Sequence, residues 1–510
     1  MFVKSVEIRP MFRRLAICAA ALTFIPTMAD MIRPPISSTV YRQTQTAMLT
    51  RNLVASRFAL RGLYVDFLGD KRAGLVQEFP LYNYAAGGLS RLGVPLEQAG
   101  KALSLAAFLV SVLLVYRIAG DRYSGTVGFA TAVLFIVSPL SMLMRSSFQP
   151  DVLSMMFVLL AIRGILLWRE KPTVGLLVVG ACCLSLAALT KIVVVIPYSI
   201  VLALCLFTKG HSVRLPSLAE TGIMIVVVVL PVALWYGYAV PHYTEPRFLV
   251  RAESMFLIGD LHRFLVPSLY LKLLFLYGAY LFCAGGVLFA VVGLWRADLQ
   301  TLGLALGIPF YLVVVPTAAE QHYYSYAILP IACLLMGRGM VFVGASERRL
   351  VRVGFAVTLM SFVVFSVVAA QYLLRPDAVF YEAGQRVRHI SQRHDLVLSL
   401  ALHDRVYVGQ SWYPEMMYFA ERNGWDLPLR SLNEPLLSDV DQYRSKGARW
   451  LVLTRYTPTL EPWFVRYIPS QFARRPSVDG DAVEEMLAQR FAEVVHTANI
   501  SIYDLRAPRA

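Results

Sequence analysis

The chain has 510 residues, of which 57% are hydrophobic and only 16% are charged, and its mean hydropathy is +0.57. Its apolar residues form runs of about 18 or more, long enough to cross the ~30 Å hydrocarbon core of a bilayer, which excludes a single soluble core. Much of the net charge of +15 lies in short loops between these runs. We therefore expect contact with membrane lipids and not with nucleic acid.

The first apolar run, residues 15–28, follows basic residues at positions 4, 9, 13 and 14. A cleaved signal peptide and a retained first span share this pattern, and Thr27 and Ala29 stand at the small-residue positions of a cleavage site. In both alternatives the polar segment that follows, 30–98, faces the outside.

Further apolar runs predict membrane-spanning helices and bring the total to about eleven. Their approximate bounds are 99–118, 126–144, 152–168, 174–189, 192–207, 220–238, 268–294, 301–316, 324–343 and 354–373. The runs 174–189 and 192–207 are short and could form one broken or re-entrant element. The predicted fold class is an α-helical polytopic membrane protein with a C-terminal soluble α/β domain.

Basic residues predict the orientation of the spans. If the N-terminus is cytoplasmic, every inner loop carries arginine or lysine, as the positive-inside rule requires. The outer side then receives 30–98, 145–151, 190–191, 239–267, 317–323 and everything after 374. We expect a membrane domain over 1–374, with its first outer loop at 30–98, and an extracytoplasmic (periplasmic) domain over 375–510.

The predicted C-terminal domain has short apolar runs of strand length. They occur at 404–408, 450–454 and 500–503, and a helical period occurs over 481–494. Short strands that alternate with helices are typical of a small α/β domain.

Residues 41–54 predict a helix in the first outer loop. Arg42, Gln45 and Thr46 lie at i, i+3 and i+4 and therefore share one face. A solvated helix lying along the membrane surface explains this spacing as well as a binding face does.

Two acidic residues on the predicted outer side are candidates for a general base. Glu78 precedes a Phe-Pro turn, where a carboxylate could accept a proton, although a solvated loop glutamate is the commoner case. Asp151 follows Pro150 and opens a span, which is also the place of an ordinary helix cap. Arg145 is close to Asp151 in the sequence.

Cationic and aromatic residues add to these candidates. Lys191 lies between two apolar runs, and it could bind a lipid-borne phosphate or extend its ammonium to the interface. His322 could be a phosphate partner, a metal ligand or a spectator, and the neighbouring tyrosines fit an aromatic belt. The charged loop 239–267 has no spacing that identifies a metal. Together these residues indicate a site for an anionic amphiphile at the membrane surface.

The chain resembles the GT-C superfamily of membrane glycosyltransferases, in the branch of lipid A aminoarabinose transferases, protein O-mannosyltransferases and rhizobial core-sugar transferases. The similar segments, within about residues 10–375, are Tyr41-Arg42-Gln43 through Thr46-Ala47, Glu78-Phe79-Pro80-Leu81-Tyr82, Pro139 through Arg145 to Pro150-Asp151, Thr190-Lys191 and His322-Tyr323-Tyr324. Gln45 lies within the first of these segments.

The resemblance implies a polyprenyl-phosphate sugar as the donor. It also implies that an acidic residue of the first outer loop deprotonates the acceptor hydroxyl, which attacks the anomeric carbon with inversion. The residues that would contact the donor phosphate or line its site are Arg42, Lys191, Arg145, His322 and Tyr323, with Asp151 as the second acidic residue.

One departure from the family concerns Gln45, because many relatives have an acidic residue there. An amide does not act as a proton acceptor, so the base must be Glu78 or, in reserve, Asp151, unless the chemistry is reduced or lost. The sequence leaves open whether a divalent cation takes part.

We therefore predict a glycosyltransferase (a hexosyl or pentosyl transferase) of the bacterial inner membrane, with a cell-envelope glycan or lipid as acceptor. A transporter or flippase of lipid-linked sugars is the first alternative, but it predicts ionisable residues at mid-membrane and repeated halves. A catalytically silent scaffold is the second alternative, and Gln45 alone favours it.

Overall fold

The structure is a computed structural model. It describes residues 10–37, 39–69, 72–209, 212–213, 215–246, 267–295, 297–315, 322–346, 348–376, 378–403, 414–427, 435–456 and 480–508. The chain forms two compact units: a membrane unit (Met1–Ile32 and Val76–Leu374) and a sheet unit (Arg33–Leu75 and Arg375–Ala510). Much of the predicted first outer loop thus belongs to the same unit as the C-terminal residues.

Helices dominate the described chain. In order they are α1 (Pro10–Leu22), α2 (Phe24–Met31), α3 (Val40–Ala55), α4 (Leu81–Arg91), α5 (Leu96–Arg122), α6 (Gly125–Val137), α7 (Pro139–Met144), α8 (Asp151–Glu170), α9 (Val174–Val195), α10 (Ser199–Phe207), α11 (Leu218–Tyr243), α12 (Pro267–Leu276), α13 (Gly286–Gly293), α14 (Leu299–Val314), α15 (Leu329–Gly344), α16 (Arg349–Leu373), α17 (Val379–Ile390), α18 (Pro414–Ala420), α19 (Pro435–Ser445) and α20 (Gly480–Arg490). A 3₁₀ helix, His322–Ile328, leads into α15.

Six helical runs of the described chain are long and apolar enough to cross a membrane. They are Leu96–Arg122, Asp151–Glu170, Val174–Phe207, Leu218–Tyr243, His322–Gly344 and Arg349–Leu373. Three shorter apolar helices are Ala16–Met31, Gly125–Val137 and Leu299–Val314. The chain is therefore a helical membrane protein, and the total of about eleven spans stays a prediction.

Two predicted spans are broken in the structure. The predicted span 126–144 is two helices, α6 and α7, which meet at Ser138 because Pro139 has no N–H to continue the helical hydrogen bonds. The predicted span 268–294 is interrupted after Leu281 and resumes as α13.

A six-stranded mixed sheet lies in the sheet unit. The strands of the chain are β1 (Tyr64–Val65), β2 (Leu68–Gly69), β3 (Ala73–Gly74), β4 (Thr208–Lys209), β5 (Ser212–Val213), β6 (Leu396–His403), β7 (Gly424–Leu427), β8 (Ala448–Tyr456), β9 (Phe491–His496) and β10 (Ile500–Pro508). The sheet order is β2-β7-β6-β8-β10-β9, and β6 is parallel to β7 and β8. Strand β6 is almost entirely apolar because, as in parallel sheets generally, both of its faces are covered.

The C-terminal predictions are correct in part. The strands 450–454 and 500–503 are confirmed within β8 and β10, whereas 404–408 lies outside the described residues. The helical prediction over 481–494 is wrong beyond Arg490, where α20 ends and β9 begins. Pairing of β9 with β10 outweighs the local helical period there.

Asp395 stands directly before β6 and is almost fully buried. It accepts hydrogen bonds from Trp450 Nε1 at 3.0 Å, the Gln392 N–H at 2.9 Å and Arg449 Nη1 at 3.1 Å. Burial opposes ionisation of this carboxyl, but the hydrogen bonds outweigh it and hold the pKa of Asp395 below its usual value. Because the folded pKa is the lower one, this carboxylate stabilises the fold above the unfolded pKa, and the contribution is lost as the pH falls through the folded pKa.

We expect Asp395→Asn to lower the unfolding temperature of the full-length protein at pH 7, because the variant loses a charge-assisted network. The difference from wild type should shrink as the pH falls below about 4, where the unfolded carboxyl is protonated. Thermal unfolding followed by tryptophan fluorescence at several pH values measures this, with Asp439→Asn as the control. A difference that is constant from neutral to acidic pH would contradict the expectation.

Candidate active site

Helix α9 breaks at Lys191, whose backbone (φ −164°, ψ 93°) is not helical. A break in a helix leaves the carbonyls of the preceding turn without their usual donors. Other donors bind these carbonyls. Ser154 Oγ donates to the carbonyl of residue 187 at 2.9 Å and Tyr236 Oη to that of residue 188 at 3.2 Å. The Phe79 N–H donates to the carbonyl of residue 189 at 2.8 Å. The predicted runs 174–189 and 192–207 thus belong to one helical stretch with a polar break, as the broken-element alternative stated.

The segment 76–79 lies beside this break and carries Glu78. Thr244 Oγ1 donates to the carbonyl of Val76 and accepts from its N–H. Trp235 Nε1 donates to the carbonyl of Gln77 at 3.3 Å. Trp235 lies in α11 and Thr244 directly follows it. Their hydrogen bonds hold the segment that carries Glu78 against the membrane unit.

Lys191 lies between two carboxylates. Its Nζ is 3.0 Å from Glu78 Oε1 and 3.6 Å from Asp151 Oδ2, and 5.7 Å from the ring centroid of Tyr324. The Lys191 and Asp151 side chains are 5% and 3% exposed, whereas that of Glu78 is 22% exposed. In such a low-dielectric site each charge strongly affects the others. Glu78 is the carboxylate that a substrate can reach more easily.

Asp151 opens α8, but it does not act as an ordinary helix cap. No side-chain capping hydrogen bond forms at this helix start, and Asp151 Oδ2 has no hydrogen-bond partner among the described residues. The ion pair with Lys191 accounts for the burial of this carboxylate.

Aromatic residues of the 3₁₀ helix before α15 line the same site. The Tyr323 ring stacks on Tyr324 with centroids 4.6 Å apart. The His322 ring lies 5.9 Å from that of Tyr280 and 6.2 Å from that of Tyr323. His322 and Tyr323 therefore adjoin the cluster through Tyr324, the ring that lies near the Lys191 ammonium.

Arg145 is fully buried and bound to the N-terminal helices. Its Nε donates to Thr27 Oγ1 at 2.7 Å, and its terminal nitrogens donate to the carbonyls of Thr23 and Ile136. The guanidinium also lies 4.2 Å from the Phe24 ring centroid. These contacts give Arg145 a packing role, and its predicted contact with the donor phosphate stays a prediction.

We expect Arg145→Ala to destabilise the fold by at least about 2 kcal/mol, because several buried acceptors lose a charged donor. Thermal unfolding in detergent measures this, and Arg117→Ala, at an exposed arginine of α5, is the matched control. Unchanged stability combined with lost binding of a polyprenyl phosphate would instead support the predicted donor contact.

The predicted helix 41–54 is confirmed as α3, which lies in the sheet unit and is mostly buried. Arg42 Nη1 donates to Gln45 Oε1 at 2.7 Å, and Thr46 Oγ1 donates to the Arg42 carbonyl at 2.9 Å. The burial argues against the solvated-helix alternative. The shared face is held together by its own hydrogen bonds.

The other residues of the first-loop motif also lie on α3. Gln43 Nε2 donates to the hydroxyls of Ser37 and Thr39, and Tyr41 is partly exposed. The structure thus brings Glu78, Asp151 and Lys191 together in the membrane unit. It places the motif of Tyr41, Arg42, Gln43, Gln45 and Thr46 in the sheet unit.

Helix α3 is anchored in the sheet unit by a partly buried ion pair. Arg51 Nη2 lies 2.6 Å from Asp66 Oδ2, and its Nη1 donates to the Tyr418 carbonyl at 2.9 Å. Burial raises the pKa of Asp66 above its usual value, although Arg51 and a hydrogen bond from Asn52 act in the opposite direction. The orientation of the first-loop motif is thereby fixed within this unit.

Two buried polar residues beside the predicted site residues were missed in the sequence. The side-chain amide of Gln149 and the hydroxyl of Thr190 have no hydrogen-bond partner among the described residues, and both are fully buried. Buried polar groups are normally paired, so these atoms are available to a ligand or to water. Both residues stand directly before predicted site segments, Pro150-Asp151 and Lys191, and Thr190 also belongs to the segment Thr190-Lys191 of the family resemblance.

One group of side chains in the described part of the chain could hold a metal ion. The ligand atoms of Glu484, Glu493 and His496 lie within 4.8 Å of one another in the sheet unit. Arg455 pairs with Glu484 and offsets its charge. Residues 247–266 of the charged loop, Glu320 and Gln321, and the segment 404–413 lie outside the described residues.

A known family profile matches part of the chain. The profile described as dolichyl-phosphate-mannose-protein mannosyltransferase covers residues 77–235. This range contains Glu78, Asp151 and Lys191. No curated protein matches the sequence.

Solved membrane-enzyme structures are similar over nearly the whole chain. ArnT of Cupriavidus metallidurans bound to undecaprenyl phosphate is 11% identical, with a TM-score of 0.58 over 96% of this chain and 97% of its own. An oligosaccharyltransferase of Archaeoglobus fulgidus tethered with an acceptor peptide is 11% identical, with a TM-score of 0.54 over 88% and 69%. The arabinofuranosyltransferase AftD from Mycobacteria is 14% identical, with a TM-score of 0.52 over 97% and 40%.

The similarity defines the fold: a helical membrane protein of the type shared by these three structures. The family profile over residues 77–235 and these similarities in fold agree with the GT-C resemblance that the sequence motifs indicated.

Proposed function

We propose that the chain is a glycosyltransferase that moves a sugar from a polyprenyl-phosphate donor to a cell-envelope glycan or lipid. The observation that carries the proposal is the buried Lys191 ammonium, 3.0 Å from Glu78 and 3.6 Å from Asp151. Transfer from a phosphate needs a cation for the leaving group and a base for the acceptor, and this cluster supplies both. The undecaprenyl phosphate bound in the ArnT structure supports the donor class.

In the proposed reaction, a carboxylate takes the proton of the acceptor hydroxyl. The hydroxyl oxygen bonds to the anomeric carbon while the bond from that carbon to the phosphate oxygen breaks, with inversion, and polyprenyl phosphate leaves with the electron pair. Stabilisation of the leaving charge by Lys191 would contribute several kcal/mol in a water-poor site. A positioned base typically contributes ~10²–10⁴-fold.

Glu78 is the proposed base, because its carboxylate is partly exposed, and Asp151 is the reserve. Asp151 would otherwise compensate the charge of the buried Lys191 ammonium, since a buried charge needs an opposite neighbour. Arg42, His322 and Tyr323 stay proposed contacts of the donor, whereas the contacts of Arg145 support a packing role. A divalent cation is compatible with this reaction, but its involvement stays open.

The proposed topology follows the basic loops. The chain is proposed to lie in the bacterial inner membrane with a cytoplasmic N-terminus, a membrane domain over 1–374 and an extracytoplasmic domain over 375–510. The proximity of Glu78 and Lys191 supports this topology, because both were assigned to the outer side from the basic residues alone.

The test is sugar transfer by the full-length protein in proteoliposomes that contain a polyprenyl-phosphate sugar and candidate envelope acceptors. Transfer with inversion is the expected result. Movement of the donor between leaflets without transfer would instead favour a flippase. If neither occurs with any of a broad panel of donors and acceptors, the scaffold alternative is favoured.

A further inference from the structure

A basic cavity of about 400 Å³ opens at the end of α3, within the sheet unit. Its lining residues are Ala55, Ser56, Arg61, Tyr64 and Arg72. None of them belongs to the candidate active site or to the first-loop motif.

The backbone around this cavity is held by many hydrogen bonds. The end of α3 is closed by bonds from the Phe58 N–H to the Leu53 carbonyl at 2.8 Å and from the Arg57 N–H to the Val54 carbonyl at 3.1 Å. Two of these residues, Arg57 and Phe58, adopt positive φ angles of 54° and 62°. Such left-handed non-glycine residues persist only where the surrounding structure holds them.

Glycine and a short hairpin complete the frame. A Cβ on Gly62 would lie 2.6 Å from Ser56 Cβ, so only glycine lets the turn that carries Arg61 approach α3 this closely. Tyr64 pairs with Gly74 in the antiparallel β1–β3 hairpin, one strand of which follows Arg72. The cavity walls are therefore preformed.

Within the part of the chain that the structure describes, no carboxylate offsets the charge of the cavity. Arg61 and Arg72 are exposed, and neither pairs with a carboxylate among the described residues. The guanidinium of Arg72 lies 5.4 Å from the Tyr64 ring centroid, which restrains it. Backbone N–H groups already bind carbonyls of the last turn of α3, so the two arginines are not needed as donors to these carbonyls. Arg51, by contrast, is paired with Asp66.

We propose that this cavity, which we call the arginine cavity, binds a phosphate ester. Two guanidinium groups can each bind a phosphate through paired N–H donors, and the hydroxyls of Ser56 and Tyr64 can add further hydrogen bonds. The phosphate ester can belong to a sugar or to a lipid headgroup. If it is part of the acceptor, which rests on the proposed function, the arginine cavity is a second phosphate site apart from Lys191.

The first test is isothermal titration calorimetry of the full-length protein in phosphatidylcholine nanodiscs with glucose 1-phosphate. A second arm compares the unfolding temperature in nanodiscs with and without phosphatidic acid. We expect one of the two arms to show binding in the wild type. In that arm, the double variant Arg61→Gln, Arg72→Gln should bind about tenfold or more weakly, because charge-assisted hydrogen bonds are lost. Arg72→Lys should recover part of the binding.

The matched control is Arg386→Gln, at an exposed arginine of α17 in the same unit. Without ligand, the double variant and Arg386→Gln should both unfold at the same temperature as the wild type, since substitutions at exposed positions rarely destabilise a protein. A response to glucose 1-phosphate alone indicates a sugar phosphate, and one to phosphatidic acid alone a lipid. No response, or one equally strong in the double variant, overturns the proposal. Neither arm needs turnover, so its failure is separate from failure of the proposed transfer.

Discussion

Lys191→Met is expected to lower the kcat/KM of sugar transfer by about 10²–10³-fold or more, as removal of a single group that stabilises transition-state charge does in other enzymes. The substitution removes the cation opposite the leaving phosphate. It also leaves the carboxylates of Glu78 and Asp151 without the positive charge that they share. Initial rates in proteoliposomes and binding of undecaprenyl phosphate in nanodiscs measure both consequences.

Lys171→Met is the matched control for this prediction, because Lys171 is exposed directly after α8. Lys191→Arg should keep part of the binding of undecaprenyl phosphate, since it preserves the charge but changes the reach. A folded Lys191→Met variant with more than about a tenth of wild-type kcat/KM would contradict the role of this cation, since the expected loss is at least tenfold larger.

Glu78→Gln is expected to lower kcat by ~10²–10⁴-fold, the usual contribution of a general base. Binding of undecaprenyl phosphate should change little, because Lys191 keeps Asp151 as its partner. Asp151→Asn should instead weaken binding and kcat together, because the buried ammonium loses a negative neighbour. Parallel measurement of kcat and of binding separates the two roles.

Glu170→Gln, at the exposed end of α8, controls for a general loss of acidic charge. If Glu78→Gln keeps full activity and Asp151→Asn loses only kcat, Asp151 is the base. Full activity in both variants would remove both residues from this role.

The sequence predicted the members of the candidate site better than their contacts. Lys191 could be recognised because a charge between two apolar runs is costly, and Glu78 because it precedes a fixed turn. Arg145 looked equally suitable in the sequence, yet its donors are occupied by the N-terminal helices. A sequence shows that a charge must be compensated but does not show which group compensates it.

Gln149 and Thr190 are a second case in which the sequence did not show which side chains lack a partner. A polar side chain beside a motif is common, and only the absence of a partner within the packed structure distinguishes these two. The division into units was also hidden, because β2 of the first loop pairs with β7, more than three hundred residues later. Strand pairing at that separation leaves no local signal.

By itself the sequence determined that this is a helical membrane protein with basic loops, because the length of an apolar run and the charge beside it are local properties. Only the tertiary structure decided that the Lys191 ammonium meets Glu78, 113 positions away, and that Asp151 pairs with it instead of capping its helix. Those contacts depend on how distant segments pack and on which buried charges can satisfy one another.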